Sequence, residues 1–127
     1  MKTLIVYEDG RPELERTAKN IAERLDPARY EVRVRAASAV TIPELLAARF
    51  YLFGADESAS PSYAEIARVV AGVNLAGRKA AYFGSTGAAV AWIKGIVADA
   101  DLAAAGSDLV GPRPEPTALA AWLRGIA

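Results

Sequence analysis

Glu8-Asp9-Gly10-Arg11-Pro12-Glu13-Leu14 lies directly behind an apolar run, Thr3 to Tyr7, and directly ahead of an amphipathic one. A strand, a short loop and a helix in that order are a setting for phosphate binding. The first N–H groups of a helix are unpaired, and its dipole places partial positive charge there. This loop is built to repel such a group, because Glu8, Asp9 and Glu13, with Glu15 one turn in, surround the single cation Arg11. The helix's own carboxylates are expected to occupy the end an anion would otherwise take. A second candidate is Gly84-Ser85-Thr86-Gly87, whose amides could cradle a phosphate. Two glycines at that spacing form a weak signal, and a tight turn is the better reading.

Composition narrows the chemistry further. The chain has no Cys and no His. It therefore lacks disulfides, thiolate chemistry, the commonest metal ligand and the commonest general base. Ser-His and Cys-His hydrolases and most zinc enzymes are excluded, and no residue set supports catalysis. Fifteen basic residues balance fifteen acidic ones, so no global field draws the protein to nucleic acid or to an anionic membrane. The longest purely apolar stretches run to about six residues, far short of the ~20 that span a bilayer. Residues 1–7 already read as a strand, so no signal peptide is expected and a cytoplasmic location is the default. At 127 residues, 53% of them hydrophobic, residues 1–127 are expected to form one domain with a real core.

The elements that must position these loops are legible from periodicity. Thr3–Tyr7, Phe50–Phe53 and Ala80–Phe83 are continuous apolar runs, the mark of strands buried on both faces of a parallel sheet. Tyr30–Arg35 alternates strictly between apolar and charged residues, which suits an edge strand. Ser107–Val110 reads as a short last strand, also at an edge. Helical stripes recur over Leu14–Leu25, Ile66–Val73, Trp92–Val97 and Leu119–Ile126. Thr41 with Glu44, and Ser62 with Glu65, carry capping-box spacing. Five strands alternating with helices predict a three-layer, doubly wound α/β fold with a five-stranded parallel sheet in the order 2-1-3-4-5. Its switch point, the usual ligand crevice, falls between strands one and three.

Over essentially its whole length the chain resembles flavodoxin. The likeness rests on Thr3–Tyr7 with Thr17-Ala18 and Ile21-Ala22, on Tyr51–Gly54, on Gly77-Arg78-Lys79-Ala80-Ala81-Tyr82-Phe83-Gly84, and on 118–127 as the last helix. The resemblance implies a flavodoxin-like fold, noncovalent FMN and one-electron transfer. It also implies that a Ser/Thr-x-Thr-Gly-x-Thr loop should hold the FMN phosphate. Asp9-Gly10-Arg11-Pro12-Glu13-Leu14 stands on those six positions with no hydroxyl, one amide removed by Pro12 and two added carboxylates. One carboxylate ~5 Å from each unit of phosphate charge costs about 1–3 kcal/mol at an effective dielectric of roughly 20–80. Each lost hydrogen bond to a charged partner adds about 1.5–3 kcal/mol.

In flavodoxins, aromatics from the loops after strands three and four enclose the flavin ring. Here Asp56–Ser60 and Ser85–Ala89 contain none, and Tyr63 and Trp92 are expected to face the core. The positions matching the flavin loops are Asp9, Gly10, Arg11, Ser58, Ser60, Gly84, Ser85, Thr86 and Gly87. The expectation is a binding or interaction module for a protein partner, with no FMN or weak FMN. The alternative is an FMN-binding electron carrier with a non-standard loop. Glu8-Asp9, Asp56 and Ser85-Thr86 also resemble the metal, phospho-acceptor and switch positions of a receiver domain. Against that third reading, Asp56 is displaced from its strand by Gly54-Ala55, and Arg113 stands near the place expected for a lysine.

Overall fold

The computed structural model describes residues 1–126, and in it the three apolar runs lie side by side at the centre of a parallel sheet. The chain runs β1 (Lys2–Tyr7), α1 (Pro12–Arg24), β2 (Glu31–Ala36), α2 (Ile42–Ala47), β3 (Phe50–Ala55), α3 (Ala64–Val70), β4 (Lys79–Gly84), α4 (Gly87–Ile96), β5 (Ala103–Ala104), β6 (Leu109–Val110) and α5 (Pro116–Ile126). The sheet order is β2-β1-β3-β4-β5, as the strand polarities imply, with β2 at one edge. Ala127 of the expected last helix lies outside the described residues.

Each interior strand sends alternate residues to opposite faces. Ile5, Phe50, Leu52 and Phe83 meet Leu14, Ile21, Trp122 and Leu123 on the α1/α5 face. Leu4, Val6, Tyr51, Phe53 and Tyr82 meet Leu45, Ile66, Val70 and Ile93 on the α2–α4 face. β2 buries no side chain fully and carries Arg33 and Arg35 at its margin. Charges of this kind protect an edge from pairing with another chain.

The second edge departs from expectation. It is two short pieces: β5 pairs Lys79 and Ala80, while β6 pairs Phe83 and Gly84 at the far end of β4. Ala103-Ala104 escaped notice because alanine favours helices and marks no strand. Between the pieces Gly106 turns at φ +132, and the Ser107 carbonyl accepts the Trp122 indole N–H at 2.7 Å. The Trp122 side chain thus ties α5 to the segment between the two pieces.

The Thr41–Glu44 capping box is present in both directions. The Ser62–Glu65 box is not. Pro61–Tyr63 forms a single 3-10 turn ahead of α3, and the Ser62 hydroxyl accepts the Asp9 N–H at 3.3 Å. A tertiary donor has won over the local one.

At the C-terminal end of β4, a methyl on Gly84 would run into the Ala55 carbonyl oxygen and the Val90 side chain. The obstructing atom is backbone in a central strand, so it cannot swing aside. Gly84→Ala is therefore expected to cost about 2–3 kcal/mol, read as a lowered urea midpoint. An unchanged midpoint would mean that β3 and β4 part without penalty.

Candidate functional site

The loops after β1, β3 and β4 all emerge at one end of the sheet, so the crevice of the switch point is walled by 8–11, 56–60 and 85–87. Glu8 dominates it. The residue is only 3% exposed. Its Oε1 accepts the N–H groups of Asp56 at 2.9 Å and Glu57 at 3.1 Å. Its Oε2 takes the Arg11 Nε at 2.9 Å, and the Arg11 Nη2 continues to Glu57 Oε1 at 2.6 Å. A protein carboxylate thus bridges β1 and β3 across the crevice, with every strong partner supplied from within the chain.

Asp9 closes a second side. Its Oδ1 accepts the Ser38 N–H at 3.1 Å, and its other oxygen takes the Ser38 hydroxyl. Gly10 makes the intervening turn at φ +71, a conformation that glycine adopts without strain. Pro12 is the first residue of α1, and no side chain caps the helix. As expected, α1's own carboxylates stand at that end, in its first turn, although neither caps it. Glu13 lies in the first turn but pairs with Arg113, and Glu15 accepts from Tyr7 and Lys19. Both favour the helix through the dipole alone.

The remaining candidates are brought to the same crest in structural roles. Ser58 donates to the Ala88 carbonyl at 3.4 Å and Ser85 to the Asp56 carbonyl at 3.2 Å. Ser60 is buried and shares a 2.9 Å hydrogen bond with Ser62. Thr86 caps α4 through the Ala89 N–H at 3.1 Å, and Gly87 opens that helix. Gly84 packs its bare Cα against β3, as described above. Tyr63 and Trp92 are where expected. The Tyr63 ring is 1% exposed, its hydroxyl donates to the Gly54 carbonyl at 2.7 Å, and Trp92 meets it edge-on at 5.8 Å.

Sequence reasoning missed three members of this network as partners: Glu57, Ser38 and Ser62. The Glu8–Arg11 pair had a signal in its three-residue spacing. Ser38, which is 29 residues from Asp9, had none. The residues of the receiver-like constellation, Glu8, Asp9, Asp56, Ser85 and Thr86, do meet at this crest, but they are engaged with partners of their own. Arg11 stands against Glu8, Arg113 is engaged by Glu13, and among the described residues no three Asp or Glu side chains gather as a metal site.

No family model matches the chain, and no curated protein matches it. Solved structures do. Flavodoxin 2 from Bacillus cereus, in its oxidised form, superposes with a TM-score of 0.83 at 20% identity, over 99% of this chain and 97% of that one. A short-chain flavodoxin associated with a non-canonical PDU bacterial microcompartment gives 0.82 at 17%, over 99% and 96%. The flavodoxin of Streptococcus pneumonia TIGR4 gives 0.81 at 16%, over 99% and 95%. The chain has the flavodoxin fold. In this flavodoxin-like fold the Glu8–Arg11–Glu57 bridge lies at the switch point, between β1 and β3.

Two predictions follow from these contacts. Glu8→Ala strips the acceptor from two N–H groups and the partner from Arg11, so stability should fall by about 2–4 kcal/mol in urea. Glu8→Gln, which keeps one acceptor oxygen, should lose distinctly less. Asp56 supplies the second. Burial raises its pKa from the ordinary 3.8, and the Glu8 charge adds to this, while Ser85 and Arg11 pull the other way. A raised native pKa means that folding favours the protonated acid. The contribution of Asp56 is therefore most favourable at low pH and is lost as pH climbs through its native pKa. Asp56→Asn should match the wild type near pH 3 and exceed it at pH 7. A gap that stays constant with pH would contradict this.

Proposed function

We propose that this chain is a flavodoxin-like binding or interaction module with little or no affinity for FMN. The observation that carries the reading is the buried Glu8 carboxylate, which saturates the crevice with negative charge and engages Arg11, the one cation of the loop. A phosphate dianion brought beside it meets two carboxylates, Glu8 and Asp9, and finds Arg11 already paired on both sides. The residues present do not fit that group. The loops after β3 and β4 also offer the flavin ring no aromatic wall, and Tyr63, the aromatic immediately beyond the first of them, is committed to the core. The protein partner and a cytoplasmic setting belong to this reading and rest on the sequence argument alone.

One observation favours the alternative, an FMN-binding electron carrier of unusual mode. The N-terminus of α1 has no side-chain cap, so helix N–H groups remain there for an anion. The flavodoxins that share the fold keep this reading in view.

Purified protein is expected to be colourless and to bind FMN no tighter than the micromolar to millimolar range. Co-purifying yellow flavin or nanomolar quenching would establish the alternative. Exchanging Asp9-Gly10-Arg11-Pro12-Glu13-Leu14 for Ser-Thr-Thr-Gly-Asn-Thr restores hydroxyls and an amide, but it removes Arg11 and leaves Glu8 buried without its cation. Glu8→Gln must therefore accompany it. The combined exchange should tighten FMN binding by roughly tenfold, about 1.4 kcal/mol. Riboflavin, which has no phosphate, should bind as before. Equal affinity for FMN before and after would clear the loop and indict the missing aromatic walls.

A further inference from the structure

At the opposite end of the sheet from the crest, the last turns of α1 and α5 part around an open groove of about 400 Å³. Its floor is apolar. Leu25, Tyr30 and Leu123, each mostly buried in the α1/α5 core, present their edges to it beside Ala120. Arg24, Arg29 and Arg124 line its rim against the single acid Asp26. Asp26 is turned to its own chain, since its Oδ1 accepts the Ala28 N–H at 2.9 Å and its carbonyl accepts from Arg29 and Tyr30.

Of the fifteen cations, seven are held in ion pairs among the described residues, and these three arginines are not. Arg11, Lys19, Arg33, Arg35, Arg68, Lys94 and Arg113 all have carboxylate partners. Among the described residues, Arg24, Arg29 and Arg124 have none within 4.0 Å. In a chain of zero net charge, an unpaired cluster of one sign is a local choice. Arg24 and Arg124 also complement the carbonyl ends of their helices. That leaves Arg29 without a dipole to answer. It stands in the turn before β2 with its guanidinium 5.3 Å from the Tyr30 ring centre. The turn is firmly held, because the amino terminus donates to the Arg29 carbonyl at 2.7 Å.

We infer that this groove is a docking surface for an acidic segment of a partner protein carrying at least one large apolar side chain among its carboxylates. Arginine forks match carboxylates two bonds at a time, and the Leu25–Tyr30–Leu123 floor gives the apolar residue a place to be buried. Nucleic acid would call for a longer basic stripe along its backbone, whereas here three cations rim a short apolar patch. The inference supplies the interaction module proposed above with a surface and rests on that reading for its role. The groove's chemistry is independent of whether flavin binds at the other end.

The test titrates isotope-labelled protein with the capped peptide Asp-Glu-Leu-Glu-Phe-Asp-Gly and follows amide shifts by NMR. The same peptide with Asn and Gln for its acids serves as control. Shifts should gather at 24–30 and 120–124, vanish with the neutral peptide and weaken as salt rises. Arg29→Gln with Arg124→Gln, both changes at exposed positions, should weaken binding roughly fivefold or more while leaving the thermal midpoint in place. Equal binding of the neutral peptide, shifts centred elsewhere, or indifference to the double variant would each overturn the inference. Preferential binding of a single-stranded oligonucleotide or of phosphatidylserine vesicles to these residues would do the same. So would self-association in sedimentation that the variant abolishes, which would give the groove to a second copy. An FMN titration of the same sample reports on the crest separately, so failure of either reading is visible without the other.

Discussion

The arrangement of the loops at the C-terminal end of the sheet depends on one buried carboxylate. Glu8 follows the last residue of β1 with its N–H still bonded to the Gly54 carbonyl of β3, and its two oxygens are divided between the backbone of the β3 loop and the Arg11 side chain. A buried charge is tolerated only when paired and hydrogen-bonded, and here all those partners come from the loops that form the crevice. Satisfying Glu8 therefore sets the distance between the β1 and β3 loops and fixes Arg11 over the gap. Asp9 then has its carboxylate free to hold Ser38, while its N–H reaches Ser62. Four segments of the chain are tied by two adjacent acids.

Such a crest differs in kind from a vacant ligand site. A preorganised anion site keeps its donors pointing into open space and bears the cost of doing so until ligand arrives. Here the donors of 56 and 57 have an anion permanently attached by a peptide chain, at an effective concentration that a free ligand seldom reaches. The uncapped start of α1 is the one part of the crest where that accounting is still open. Its field is already softened by Glu13 and Glu15 in the first turn.

The fold was readable because it rests on burial, which leaves a period in the sequence. The continuous runs of strands one, three and four and the alternation in Tyr30–Arg35 were sufficient to order four strands. Ala103-Ala104 was not readable, since two exposed alanines pair with β4 only because β4 offers an edge. Ser62 misled for a related reason. A hydroxyl three residues ahead of a glutamate is a helix cap only when no better donor approaches, and the Asp9 N–H arrives from 53 residues away. At the site, residue types pointed to the acids of the loop after strand one. What the types could not announce was that one of them turns inward. Glu8 and Asp9 are adjacent and chemically alike, yet Glu8 is buried against the N–H groups of Asp56 and Glu57 while Asp9, in the turn beyond β1, is half-exposed beside Ser38.

Zero net charge conceals a polarity along the strand axis. Glu8, Asp9, Glu13, Asp56 and Glu57 collect where the strands end, with Arg11 and Arg113 as their counter-ions. Arg24, Arg29 and Arg124 collect near where the strands begin. Helix dipoles favour the same division, because α1 and α5 both start at the acidic end and finish at the basic one. The charge pattern thus stabilises the helices it decorates, and this alone would account for the acids in the first turn of α1 and the arginines in the last turns of α1 and α5. It does not account for carboxylates continuing into the β3 loop, where no helix begins for several residues, or for Arg29 beyond the end of α1. At both ends the charge outruns the dipole. At the crest part of the surplus is answered internally, by the Glu8–Arg11–Glu57 bridge and the Arg113–Glu13 pair. At the base the arginines rim an apolar floor without such a bridge.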